Sequence, residues 1–366
     1  MNKTIKGIRQ GSAPVPLSLL DFAITGKGQP VTEAYDTSIN LARLTDQRGF
    51  SRYWVAEHHA MPGVATSSPA VLLSRLISET KRIRLGSGGM MLPNFPPLVV
   101  AEQFNLLAAL APGRIDMGVG RAPGTDGLTA AALRRGQTGE EDFPAQIREL
   151  LHFLDDSFPE NHPYRDNVYV VPGPAQDKEN GVTSSFEPPS VWMLGSSGYS
   201  ARLAGILGLP FGFAAQLAPE NMLMALDLYR KNFRPSAVLD APYALVCFGV
   251  FAADDEQEAA LEVGSYAHAM MRMMYRQSYV LPSPEEVRNY RYDNAERRIV
   301  KQWTEKVIYG TARQVADKLN QYQAASQADE LMILNLGYSF RGIEHSARLI
   351  ADAYEMPLCA GDTPRG

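Results

Sequence analysis

The sequence predicts an α/β protein built as a (β/α)8, TIM-like barrel with insertions, and three observations carry that reading. Short apolar runs of strand length recur eight times, helical patterns alternate with them, and chemically useful residues gather where the runs end. An open doubly wound sheet usually has about five or six strands, so the count favours closure into a barrel.

The elements follow in order. Leu17 to Leu20, after two prolines, reads as a first buried strand; Thr32 then caps a helix whose Tyr35, Ile39 and Ala42 share a face, closed by Gly49. Tyr53 to Ala56 is a second strand running into Glu57-His58-His59, and Ser68-Pro69 is an N-cap and first-turn pair for the next helix. Ile83 to Leu85 is a third strand ending in Gly86-Ser87-Gly88-Gly89. A helix through Val100, Phe104, Leu107 and Ala111 stops at Pro112-Gly113, and Ile115 to Val119 is a fourth strand ending at Gly120-Arg121.

The alternation then pauses over about 122–188, rich in Pro, Gly and Asp, with one clear helix around Phe143 to Leu154. It resumes with strands at Val191 to Leu194, Phe211 to Ala214 and Tyr243 to Ala252. A mainly helical insertion over about 254–325 precedes an eighth strand, Leu331 to Leu334, and a last helix through Ile343, Ala347 and Ile350.

Composition bounds the function. At 366 residues, 45% hydrophobic and 20% charged, the chain has the make-up of a folded globular protein. Barrels pass about 250 residues as one unit, and no linker, repeat or low-complexity tract divides the chain, so one domain over residues 1–366 is expected. The net charge of −5 and the lack of any basic block argue against nucleic acid or anionic membranes as partners. Two cysteines, Cys247 and Cys359, build neither a disulfide framework nor a zinc site, and no metal is expected. No apolar run approaches the ~20 residues of a membrane span, and no apolar segment follows the charged N-terminus. The expectation is a cytoplasmic protein.

In such barrels the active site lies where strands end. Leu194-Gly195-Ser196-Ser197-Gly198-Tyr199-Ser200 reads as strand, tight turn and helix start, where free N–H groups and a positive dipole end suit a phosphate. Read alone, it is equally an ordinary turn with Ser197 as N-cap. Arg121 at the barrel mouth suits an anion too, although a surface ion pair explains an isolated arginine as well. Gly118-Val119-Gly120 lacks the third glycine of a dinucleotide fingerprint, since Gly124 comes one residue late. Glycines 86, 88 and 89 in one strand suggest a close approach, by a flat ring or within a bulge. The adjacent His58 and His59 form no metal spacing; each is a structural histidine or, at the mouth, a general acid/base.

Together, Trp54 to His59, Gly86 to Pro93, Ala101 to Arg121, Leu194 to Ala201 and Ala328 to Met332 resemble the bacterial luciferase-like, flavin-dependent monooxygenase family. The resemblance covers nearly the whole chain and is most specific over 53–121. It implies FMN at the C-terminal mouth of the barrel, with His58 catalytic and Arg121 holding the phosphate together with Ser197 and Ser200 of the turn Ser196, Ser197, Gly198, Tyr199, Ser200. It also implies a non-prolyl cis peptide at Gly88-Gly89 beneath the flavin ring. The implied reaction inserts one atom of O2 into a small organic substrate, using reduced FMN from a separate flavin reductase; a homodimer is implied as well. Gly120 stands where the luciferase α subunit has a reactive cysteine, which argues against light emission, and Gln216 stands where close relatives often carry histidine. The competing readings are a deazaflavin-dependent hydride transfer on the same barrel, a non-catalytic FMN-binding or storage protein, and a hydrolase or isomerase using Glu57 and Asp21.

Overall fold

A computed structural model of the chain describes residues 5–134 and 143–359. Its strands are β1 (Leu17–Asp21), β2 (Arg52–Val55), β3 (Arg84–Met91), β4 (Ile115–Gly120), β5 (Ser190–Gly195), β6 (Phe211–Ala214), β7 (Ala244–Ala253), β8 (Ile308–Thr311) and β9 (Glu330–Asn335). Each of β1 to β6 pairs in parallel with the next, β6 pairs with β7, β7 with β9, and β9 with β1. Eight strands therefore close into a barrel, as the alternation predicts.

The ninth strand, β8, lies outside that ring and pairs only with Val250 to Ala253 at the far end of β7. It falls within the stretch expected to be helical. Four residues, Ile308-Tyr309-Gly310-Thr311, are too short a run to stand out between helices.

The helices are α1 (Val31–Gln47), α2 (Pro69–Ile77), α3 (Pro97–Leu110), α4 (Gly127–Arg134), α5 (Phe143–Asp155), α6 (Pro174–Glu179), α7 (Gly198–Leu207), α8 (Met222–Asn232), α9 (Glu256–Met274), α10 (Pro284–Asn289), α11 (Asn294–Thr304), α12 (Ala312–Ser326) and α13 (Phe340–Ala353). The helix expected to be capped by Thr32 starts two residues earlier than that, at Val31 behind the N-cap Pro30 (φ −71°, ψ 137°), because proline already holds the extended entry geometry. Ser68 and Pro69 stand where the sequence puts them, as N-cap and first residue of α2. Helix α5 packs on α3, and α12 packs on β7, α8 and α13, so α12 covers the barrel wall while α5 forms a layer outside α3. The excursion after β7 thus runs from α9 to β8, shorter than the 254–325 read from sequence. No helix among the described residues is long and apolar enough to cross a membrane.

The closed end of the barrel, where strands begin, is filled by charge. Arg52, fully buried on β2, donates from Nε to Glu330 (2.9 Å) and from Nη1 to Asp116 (2.8 Å), and its guanidinium lies 4.5 Å from the Trp192 ring centre. Arg84 pairs with the other oxygen of Asp116 (2.6 Å), and the Tyr243 hydroxyl donates to Glu330 (2.8 Å). Two cations thus face two carboxylates, all anchored at strand starts. This network leaves the opposite end for chemistry.

Candidate active site

At the strand ends the barrel opens into a cavity of about 210 Å³. His58 follows β2, Gly88 and Gly89 sit late in β3, Arg121 follows β4, and Ser196, Ser197 and Ser200 follow β5; all seven line this one cavity. Gly198 and Tyr199 do not. Gly198 backs onto Leu228 of α8, and the Tyr199 ring lies beneath Arg121 on the outer rim. The space between β1 and α1 holds only about 10 Å³, too little for a ligand.

Position brings His58 into the cavity, and its neighbours keep it there. Its N–H donates to the Thr66 carbonyl (2.8 Å), and its ring tilts against Phe22 with centroids 4.7 Å apart. Nδ1 is buried with no hydrogen-bond partner among the described residues. Burial lowers the imidazole pKa to about 4, assisted by the neighbouring His59. His58 is therefore neutral near pH 7, further from titration than the ordinary histidine range suggests.

A stability consequence follows. The folded pKa lies below the ordinary 6.5, so the unfolded chain takes up the proton first, and stability is lost as pH falls from about 6.5 towards 4. Relative to wild type, His58→Phe is expected to flatten that part of the Tm–pH curve. Parallel curves for the two proteins would show that His58 carries no such linkage.

The second histidine is structural. His59 Nε2 meets Glu57 Oε1 at 2.9 Å, and Glu57, wholly buried, also accepts from the Met91 N–H (2.9 Å) and the Asn94 amide (3.0 Å). Glu57 thereby ties the end of β2 to the end of β3. Asp21 accepts from Tyr53 (2.7 Å), from the Ala23 N–H (2.8 Å) and from Ser38. Neither acid lines the cavity, so the carboxylate hydrolase reading loses the residues it needed. No group of three or more His, Cys, Asp or Glu among the described residues could hold a metal ion.

Arg121 is exposed, and no carboxylate among the described residues pairs with it. Among the described residues, the ion pair that would explain it as a surface residue is not made. Its guanidinium instead rests 4.6 Å from the centre of the Tyr199 ring, held at the rim by a cation–π contact. Beside it Ser197 is the N-cap of α7, yet its side chain makes no capping bond. The caps of α9 to α13 all do. The first-turn N–H groups of α7 and the arginine thus face the same side of the mouth.

The Gly88–Gly89 peptide is cis, and the β3–β4 register shifts there. Glycine at both positions has a steric reason within the barrel. A Cβ on Gly88 would lie 2.6 Å from Leu20 Cδ1, and one on Gly89 2.5 Å from Leu194 Cδ1. Gly195 plays a related part, because a Cβ there would lie 2.6 Å from the Ser200 hydroxyl. Sequence reasoning missed Phe22, Thr66 and the tying role of Glu57. Only the position of Phe22, just beyond a strand end, offered a signal.

The model of the luciferase-like monooxygenase family matches residues 18–328, and the chain belongs to that family. It is 40% identical over 342 residues to a luciferase-like monooxygenase of Escherichia coli (strain K12), covering 93% of this chain and 97% of that protein. It is 32% identical over 342 residues to the N-acetyl-S-alkylcysteine monooxygenase of Bacillus subtilis (strain 168), covering 93% and 98%. Among solved structures, apo-MsnO8 superposes with a TM-score of 0.83 at 31% identity, over 94% of this chain and 99% of that one. The oxygenating constituent of 3,6-diketocamphane monooxygenase in complex with FMN (18%, TM-score 0.65, covering 92% and 98%) shares the fold. So does an F420-dependent secondary alcohol dehydrogenase (14%, TM-score 0.62, covering 93% and 99%).

Proposed function

We propose that this protein is a flavin-dependent monooxygenase that uses reduced FMN, supplied by a separate flavin reductase, and O2 to oxidise a small organic substrate. The observation that carries the reading is Arg121, which meets no carboxylate among the described residues and stands beside the uncommitted N-cap Ser197 at the rim of a largely apolar cavity. That donor set fits a phosphate: a fork of N–H donors, serine hydroxyls and a helix N-terminus converge on one place. Gly88 and Gly89, bare of side chains on the cavity wall, suit a ring lying against the backbone. The monooxygenase relatives support the same reaction class.

Within this reading Arg121, Ser197 and Ser200 hold the phosphate, aided by the N–H groups of Gly198 and Tyr199 and by Ser196. Bound reduced FMN supplies the two electrons with which one oxygen atom of O2 enters the substrate and the other leaves as water. The apolar walls exclude bulk water. His58, neutral at pH 7, takes or returns a proton at Nδ1, the buried atom that has no partner among the described residues. The reading takes the chain as one barrel unit acting as a cytoplasmic homodimer.

Arg121→Ala is expected to weaken FMN binding by about 1.5–3 kcal/mol, the range for a hydrogen bond to a charged group, while leaving riboflavin almost untouched. Fluorescence titrations read both. An unchanged FMN affinity would remove Arg121 from the phosphate site, and tighter binding of a deazaflavin than of FMN would replace the cofactor.

A further inference from the structure

Besides His58 Nδ1, one side-chain polar atom on the cavity wall is buried and, among the described residues, unpartnered: Gln216 Oε1. Gln216, just beyond β6, is only 7% exposed. A buried amide oxygen left unpaired costs about 1–3 kcal/mol, so its place is explained by something that enters the cavity and pairs with it. The backbone around it is held. The Gln216 N–H donates to the Cys247 carbonyl (3.2 Å), and Lys306 donates to the Leu217 carbonyl (2.8 Å). Gly249 on β7 leaves the room over which its Cβ packs.

Phe213, Leu217, Leu245, Cys247 and Met332, from the β6, β7 and β9 side, line the cavity with apolar surface. Arg121 is the one charged side chain lining the cavity among the described residues, and it stands with Ser197 on the β4–β5 side. Gln216 follows β6, towards β7 and β9, on the side away from Gly88–Gly89 and His58.

We propose that Gln216 is a specificity-determining residue whose carboxamide pairs with a neutral, amide-like group, a C=O beside an N–H, on an otherwise apolar substrate. The proposal rests on the cavity being the oxygenation site. Either orientation of the carboxamide offers one acceptor and two donors, which match an amide with two hydrogen bonds. A carboxylate finds no cation there, and an alkane leaves Gln216 unpaired, so both are disfavoured.

The test is calorimetric binding of hexanamide and hexanoate to the full chain, with and without FMN, for wild type, Gln216→Met and Gln216→Leu. Wild type is expected to prefer hexanamide. Either variant should lose roughly 5- to 100-fold in hexanamide affinity, for two neutral hydrogen bonds, with FMN affinity unchanged. The two variants guard against a folding failure of one. Hexanamide affinities equal in wild type and a folded variant, or no hexanamide binding by wild type, would overturn the proposal while leaving the FMN reading intact. Failure of wild type to bind FMN would overturn that reading instead, and the FMN-free titrations would still decide the role of Gln216.

Discussion

His58→Ala is expected to lower oxygen-coupled turnover roughly 10²–10⁴-fold, the range for a lost general acid or base, while FMN affinity stays nearly intact. The separation follows from geometry. The phosphate donors stand beyond β4 and β5, whereas His58 stands beyond β2 with Nδ1 unpaired and its ring against Phe22. The competing account is that His58 only packs against Phe22 and anchors the loop through Thr66. That account predicts a lower Tm with unchanged turnover per folded molecule. Measuring Tm, FMN affinity and oxygen consumption on the same preparation separates the two; normal turnover would end the catalytic assignment.

Arg52→Met is expected to destabilise the fold by about 3–5 kcal/mol without touching the cavity. The substitution keeps the bulk of the stem but strips Asp116 and Glu330 of their shared cation at a site with no access to water. Removing one partner of a buried ion pair leaves uncompensated charge, which costs far more than the intact pair contributes. Arg84 remains for Asp116, while Glu330 keeps only Ser18 and Tyr243 as donors. Denaturant unfolding reads the loss. A change under about 1 kcal/mol would show that the network is dispensable.

The barrel was legible because its buried parallel strands read as apolar runs separated by helices, and Val191 to Leu194 or Phe211 to Ala214 need no tertiary context to be seen. β8 and the boundary of α12 were not, because four residues between helical segments carry no period. The charge network was illegible for a different reason. Arg52, Asp116 and Glu330 are unremarkable alone, and only closure brings them together. The same holds at the mouth. The cap position of Ser197 could be read from its turn, but Arg121 gains meaning only when the structure leaves it without an acid among the described residues. The low pKa of His58 likewise comes from burial, which spacing does not reveal.

Parallel fluorescence titrations of the purified wild-type chain with FMN and riboflavin test the cofactor assignment most directly. The two ligands share the ring and differ by the phosphate that Arg121, Ser197 and Ser200 are assigned to hold. FMN is expected to bind at least about 10-fold more tightly, equivalent to roughly 1.4 kcal/mol. Equal affinities, or no binding of either, would contradict the assignment.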